Sequence, residues 1–138
     1  MASLQRETDG AQTKEAVIAG LSAYNAARVG PRNSAPLAIS LRDDDGTIVG
    51  GLIGELKWQW LHVDVIWIDE AHRGRGHGEA LVAMAEQAAR DHGARGVYLA
   101  TMSLQAPDFY PKLGYKEYGR LEDYPVAGHH ILQFAKAL

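Results

Sequence analysis

The 138-residue chain predicts a mixed α/β fold in a single domain over residues 1–138, and three observations carry that expectation. Apolar stretches at 37–41, 47–58 and 60–68 are separated by short turns, the pattern of an antiparallel meander. A helical stretch from Gly76 to about His92 leads into another apolar run at 95–101. A strand joined to a strand through a helix is the right-handed parallel crossover, so the sheet is mostly antiparallel with one parallel pair. Between the strand ending at Ile68 and that helix lies the basic, glycine-rich turn Arg73-Gly74-Arg75-Gly76-His77-Gly78.

Taken in order, residues 3–8 read as a short edge strand. Asp9 with Gln12 three residues on resembles a helix N-terminal box, and Val17, Ile18, Leu21 and Tyr24 recur at helical spacing. Val29-Gly30-Pro31 should end that helix, and residues 32–36 form a loop. Asp43-Asp44-Asp45-Gly46 is a strong turn. Gly50, Gly51 and Gly54 interrupt the second strand and mark bulges or close backbone approach. In the third strand, strict alternation puts Leu61, Val63, Val65 and Trp67 on one face and His62, Asp64, Ile66 and Ile68 on the other. Two polar groups then point the same way on a strand that runs into the glycine loop. In the following helix, Leu81, Met84, Ala85 and Ala88 form the expected buried stripe, Glu86 and Arg90 an outer i,i+4 pair, and Gly93 the stop. Pro107 and Gly114 bracket a short helix, and residues 115–121 and 129–134 close the chain as two strands.

Composition narrows the function. A 46% hydrophobic and 22% charged make-up is that of a globular protein, and a formal charge of −3 gives no general attraction to nucleic acid or anionic membrane. No cysteine is present, which excludes disulfides, thiolate metal ligands and an acyl-cysteine intermediate. The adjacent His129 and His130 would point to opposite faces of a strand, so no metal site is expected. Met1-Ala-Ser-Leu-Gln-Arg6 carries no hydrophobic run and nothing approaches the ~20 apolar residues of a membrane span, so a cytoplasmic enzyme or binding domain is expected.

Glycines let backbone approach a ligand, and a helix N-terminus adds exposed N–H groups and positive potential; the turn therefore reads as an anion site. A Walker loop is ruled out because no Lys-Ser or Lys-Thr pair exists in the chain, and the two-residue glycine spacing does not fit a dinucleotide fingerprint. Arg73-x-x-Gly76-x-Gly78 does match the Arg/Gln-x-x-Gly-x-Gly/Ala signature of the GNAT acetyltransferase superfamily. Downstream, Phe109-Tyr110-Pro111-Lys112-Leu113-Gly114-Tyr115 resembles the Phe-Tyr-x-Lys-x-Gly-Phe/Tyr segment of the same family. On these two motifs the chain from about residue 48 onward resembles a GNAT enzyme.

The resemblance implies a sheet whose two central strands, 60–68 and 95–101, run parallel and splay apart to admit acetyl-CoA. It places the diphosphate on the backbone of Gly74, Arg75, Gly76, His77, Gly78 and Glu79, with Arg73 and Arg75 adding charge. The pantetheine arm would lie along Ile66, Trp67 and Ile68. Tyr110 is the implied general acid toward the coenzyme sulfur and His62 the implied base for the amine. Asp64 would orient His62 or attract a cationic acceptor. Pro111 and Glu79 depart from the family's usual residues at their positions. The activity implied is transfer of an acetyl group to a primary amine of a small molecule or peptide, by direct attack in a ternary complex. A catalytically silent acyl-CoA-binding module is the other reading. Family habit suggests a homodimer, with Trp58, Trp60 and the C-terminal strands supplying an apolar contact.

Overall fold

A computed structural model describes residues 1–138, which divide into two compact units, Met1–Arg32 and Asn33–Leu138. The first unit is one helix, α1 (Ala11–Val29), preceded by residues without regular structure. The edge strand expected at residues 3–8 is absent: that stretch lacks alternating apolar positions and pairs with no other strand, and the Gln5 side chain instead bonds Glu7. The Asp9 carboxylate accepts the Ala11 N–H at 3.1 Å, and Gly30 ends the helix with φ of +86°. Arg28 lies 3.3 Å from the centre of the Tyr24 ring. Val17, Ile18, Leu21 and Tyr24 are all exposed.

The second unit is a six-stranded sheet in the order β1-β2-β3-β4-β6-β5. The strands are β1 (Ala35–Arg42), β2 (Ile48–Lys57), β3 (Trp60–Ile68), β4 (Gly96–Met102), β5 (Lys116–Glu122) and β6 (His130–Ala137). Helix α2 (His77–Asp91) connects β3 to β4, and the four-residue helix α3 (Phe109–Lys112) precedes β5. Every neighbouring pair is antiparallel except β3–β4. Leu52, Leu61, Val97 and Leu99 of the sheet share one core with Leu81, Val82, Ala85 and Ala89 of α2, and with Tyr110, Tyr115 and Phe134.

The glycines of β2 are there because its neighbours come too close for a side chain. A Cβ on Gly51 would lie 2.5 Å from the Ile39 carbonyl oxygen, and one on Gly54 2.6 Å from that of His62. Neither obstacle is a flexible side chain, so Gly54→Ala must move backbone at the β2–β3 register shift. The expected loss is about 1–3 kcal/mol of stability, read as a lower denaturant midpoint at unchanged slope.

That register shift overturns the strict alternation in β3. Ile53 pairs with Val65 and Gly54 with Val63, so Asp64 is the extra residue of a β-bulge. One inserted residue reverses which way every later side chain points. Leu61 and Val63 therefore share the core face with Ile66 and Ile68, whereas Val65 and Trp67 are exposed.

The expected stripe of α2 also shifts. Met84 is 59% exposed and Ala88 half-buried, while Val82 and Ala89 are inside. Glu86, expected outside, is buried: its carboxylate accepts the Tyr115 hydroxyl at 2.8 Å and Lys136 Nζ at 2.9 and 3.2 Å. Arg90 stays nearby at 3.9 Å. A buried carboxylate is tolerable because a cation and a hydroxyl meet it there.

Candidate active site

The parallel pairing of β3 with β4 runs only from Trp60 opposite Gly96 to Val63 opposite Leu99. It stops at the bulge. Beyond Val63 the two strands part, and a cavity of about 380 Å³ lies in the opening. Its walls include Val63 to Ile66 from β3 and Leu99 to Met102 from β4. Tyr110 of α3 and Tyr124 from the β5–β6 connection also reach it.

His62 and Asp64 line this cavity together, with His62 Nδ1 2.7 Å from Asp64 Oδ1. The bulge that puts them out of simple alternation still leaves their side chains in contact. The His62 ring stacks on Tyr98, centroids 4.6 Å apart and planes at 27°. An imidazole held on one nitrogen by a carboxylate and on one face by a phenol ring has a set orientation, and its other nitrogen is left for exchange.

Tyr110 packs edge-on against Phe109 and Tyr115 and lies 5.8 Å from the Phe134 ring centre. It is only 5% exposed, and burial pushes its phenol up to about 12. Such a group keeps its proton throughout the neutral range, so it can donate but does not act as a base. Pro111 sits in the first turn of α3, where no intrahelical N–H bond is lost, and the Leu113 and Tyr115 N–H groups both bond the Tyr110 carbonyl. Tyr110 is thus anchored through its backbone and three aromatic neighbours.

The glycine loop lies between β3 and α2. Gly76, at φ of +81°, forms the N-cap of α2 with no side chain capping the helix. The first-turn amides of a helix have no intrahelical acceptors, so those of His77, Gly78 and Glu79 are left for another acceptor. Gly74 is likewise left-handed, at φ of +74°. A Cβ on Gly78 would meet the Phe109 ring at 3.2 Å, so this glycine lets the helix start pack against α3. These features suit a diphosphate: uncapped amides on a 15-residue helix, with Arg75 exposed beside them. Arg73 is not a free cation arm, because its Nε bonds the Ile68 carbonyl at 2.8 Å and ties the loop to the strand end. Glu79 is exposed.

Ile66 and Ile68 face the core beside the opening and Trp67 points to the other side of the sheet, 53% exposed. Past Val63, the edge of β3 that faces β4 has no strand partner. The sequence alone does not single out Thr101, Gln105, Tyr124 or Ile131, which also line this cavity, or Tyr98, which backs the His62 ring. Thr101 Oγ1 and the Met102 N–H both bond Gln105 Oε1, closing the far end of β4. Register against β3 would have indicated Tyr98, but Tyr124 belongs to a loop whose placement no local pattern specifies.

The sheet's one parallel pair thus parts beside an uncapped helix start, which leaves an open strand edge and unbonded amides next to one another. The chain belongs to the acetyltransferase (GNAT) family, whose model matches residues 5–115, and it is an acyltransferase. It is similar to blasticidin-S acetyltransferase of Streptomyces morookaense, 46% identical over 91 residues, covering 64% of this chain and 67% of that one. The crystal structure of an acetyltransferase from Bacillus cereus ATCC 14579 superposes with a TM-score of 0.90 at 32% identity, covering 98% of each chain. A Bacillus anthracis acetyltransferase in complex with acetyl coenzyme A shares the fold at 20% identity and a TM-score of 0.65, covering 75% of this chain and 62% of that one. No helix of the protein is long and apolar enough to cross a membrane.

Proposed function

We propose that this protein is an N-acetyltransferase that moves the acetyl group of acetyl-CoA to a primary amine of a small molecule. The observation that carries the proposal is the opening between β3 and β4, with the His62–Asp64 pair on one wall and Tyr110 on another. Similarity to an antibiotic acetyltransferase supports a small-molecule acceptor over a peptide. The amides of residues 74–79 and the charge of Arg75 would hold the diphosphate, and the unpaired edge of β3 at Ile66–Ile68 the pantetheine amides. Acetyl-CoA supplies an activated thioester.

His62 takes the proton that a primary amine carries at neutral pH, through the nitrogen not bonded to Asp64. Asp64 fixes the ring and offsets the imidazolium charge that results. The freed amine nitrogen bonds to the acetyl carbon as the carbon–sulfur bond breaks, and Tyr110 donates its proton toward the leaving sulfur. With no cysteine in the chain, direct attack needs no acyl-enzyme. A net charge of −3 and the Asp64 carboxylate favour a cationic acceptor over an anionic one, and the absence of a membrane-crossing helix fits a protein at work in the cytoplasm.

Thiol release from acetyl-CoA across a panel of primary amines tests this. The expected result is amine-dependent release by the native protein, lowered about 10²–10⁴-fold in His62→Ala at neutral pH. The loss in that variant should shrink as pH rises and the amine deprotonates unaided. Release at the background rate with every amine would leave only the acyl-CoA-binding module.

A further inference from the structure

One helix and one face of the sheet are both left without a covering layer. No side chain of α1 is buried. Val17, Ile18, Leu21 and Tyr24, each more than half exposed, fall within an arc of roughly 120° around the helix, the width of a packing stripe. Gly20 at mid-helix and the β-branched Thr13, Val17 and Ile18 lower the intrinsic stability of α1, and a helix of this kind draws most of its stability from packing such a stripe. The sheet buries one face under α2, whereas Ala38, Ile53 and Val65, which pair across β1, β2 and β3, point from the other. Ile53 is 49% exposed and Val65 57%. In the next row Gly51 pairs with Trp67 and offers bare backbone beside an exposed ring. Three adjacent strands thus present an apolar strip with a low point at Gly51.

We propose that two copies of this chain dimerise by exchanging α1, each helix laying its apolar stripe across Ala38, Ile53, Val65 and Trp67 of the other copy. This places the contact away from Trp58 and Trp60, where the sequence suggested it. A chain that carries both an apolar ridge and a surface to receive it closes about one two-fold axis. Every contact is then made twice, and neither surface is left over to extend a fibre. The area is sufficient. A 19-residue helix is about 28 Å long, and a footprint about 10 Å wide covers roughly 280 Å² of each surface. Two such contacts remove roughly 1,100 Å² from water in all, which clears the ~1,000 Å² that a specific interface needs. The connection also suits exchange. Residues 30–34 alone join α1 to β1, with Pro31 fixing one φ and with Gly30 and Asn33 in the left-handed region at +86° and +53°. A short, stiff hinge of this kind favours pairing between chains. A net charge of −3 on each copy gives little repulsion to oppose it.

The test is the mass in solution, by sedimentation equilibrium, of the native chain and of its Leu21→Lys and Ile53→Glu variants. Both replaced side chains are exposed, so neither substitution opens the core. The native protein should sediment at twice 15.0 kDa and each variant as a monomer, its dissociation constant raised at least about a hundredfold by the charge introduced into the contact. Mixing the two variants should restore the dimer. A mixed pair keeps one contact in which helix and sheet are both native, and sets the introduced lysine against the introduced glutamate in the other. If a charged variant precipitates, Leu21→Ala and Ile53→Ala repeat the comparison, each with an expected loss of about tenfold. A monomeric native protein overturns the proposal. So does a dimer that survives either substitution, because the contact is then helix on helix, sheet on sheet, or elsewhere on the surface. Two monomeric charged variants that stay monomeric when mixed overturn it as well, since exchange requires that they complement each other.

Discussion

Tyr110→Phe lowers kcat by about two to four orders of magnitude and leaves the KM for acetyl-CoA within about twofold. The substitution removes one oxygen from a ring that keeps its packing against Phe109, Tyr115 and Phe134. Lost activity therefore reports lost donation, not lost fold. The pH profile supplies a second check. With the phenol pushed up to about 12 by burial, its ionisation contributes no downward limb to kcat below about pH 11. An alkaline limb near pH 9 that vanishes in the Phe variant would mean that Tyr110 ionises in the working range, contrary to its buried position. Steady-state kinetics from pH 6 to 10.5 on both proteins settle the point.

Glu86→Ala is the largest expected loss of stability, about 3–5 kcal/mol, because it strands the half-buried Lys136 ammonium and the Tyr115 hydroxyl together. In a domain of this size that corresponds to a fall in Tm of about 10–20 °C, readable by calorimetry. Tyr115→Phe keeps the ion pair and loses one hydrogen bond, so its cost is about 1–2 kcal/mol. The same cluster sets an alkaline limit. Burial first, then the Glu86 carboxylate, raises the Tyr115 phenol, and burial alone raises that of Tyr110. A phenol raised on folding contributes stability that is whole below its unfolded pKa of about 10 and is lost as pH climbs above it. The native protein should lose stability steeply between about pH 10 and 12, and Tyr115→Phe less steeply. A native slope no steeper than that of the variant would remove Tyr115 from the account.

Much of this was legible from residue order. Gly74 and Gly76 mark an uncapped helix start, because only glycine adopts their left-handed backbone freely and neither has a side chain to cap with, whereas Gly78 answers to its contact with Phe109. The apolar runs flanking a helix required a parallel pair, and the pair is there. The motif around Tyr110 and the two-residue spacing of His62 and Asp64 point to residues that line one cavity.

Tertiary structure decided the rest, and the reason is the same each time. Alternation along β3 assumes an unbroken pleat, but the bulge at Asp64 is a property of pairing with β2, and it turned Val65 and Trp67 outward. Glu86 has the local pattern of a surface residue, yet its partners come from 29 and 50 positions away. Where β3 leaves β4, which rings meet at Tyr98, and that Tyr124 reaches the same cavity as His62 are contacts between segments distant in the chain. Local periodicity reports only what neighbouring residues do to one another; these features depend on where remote strands come to rest.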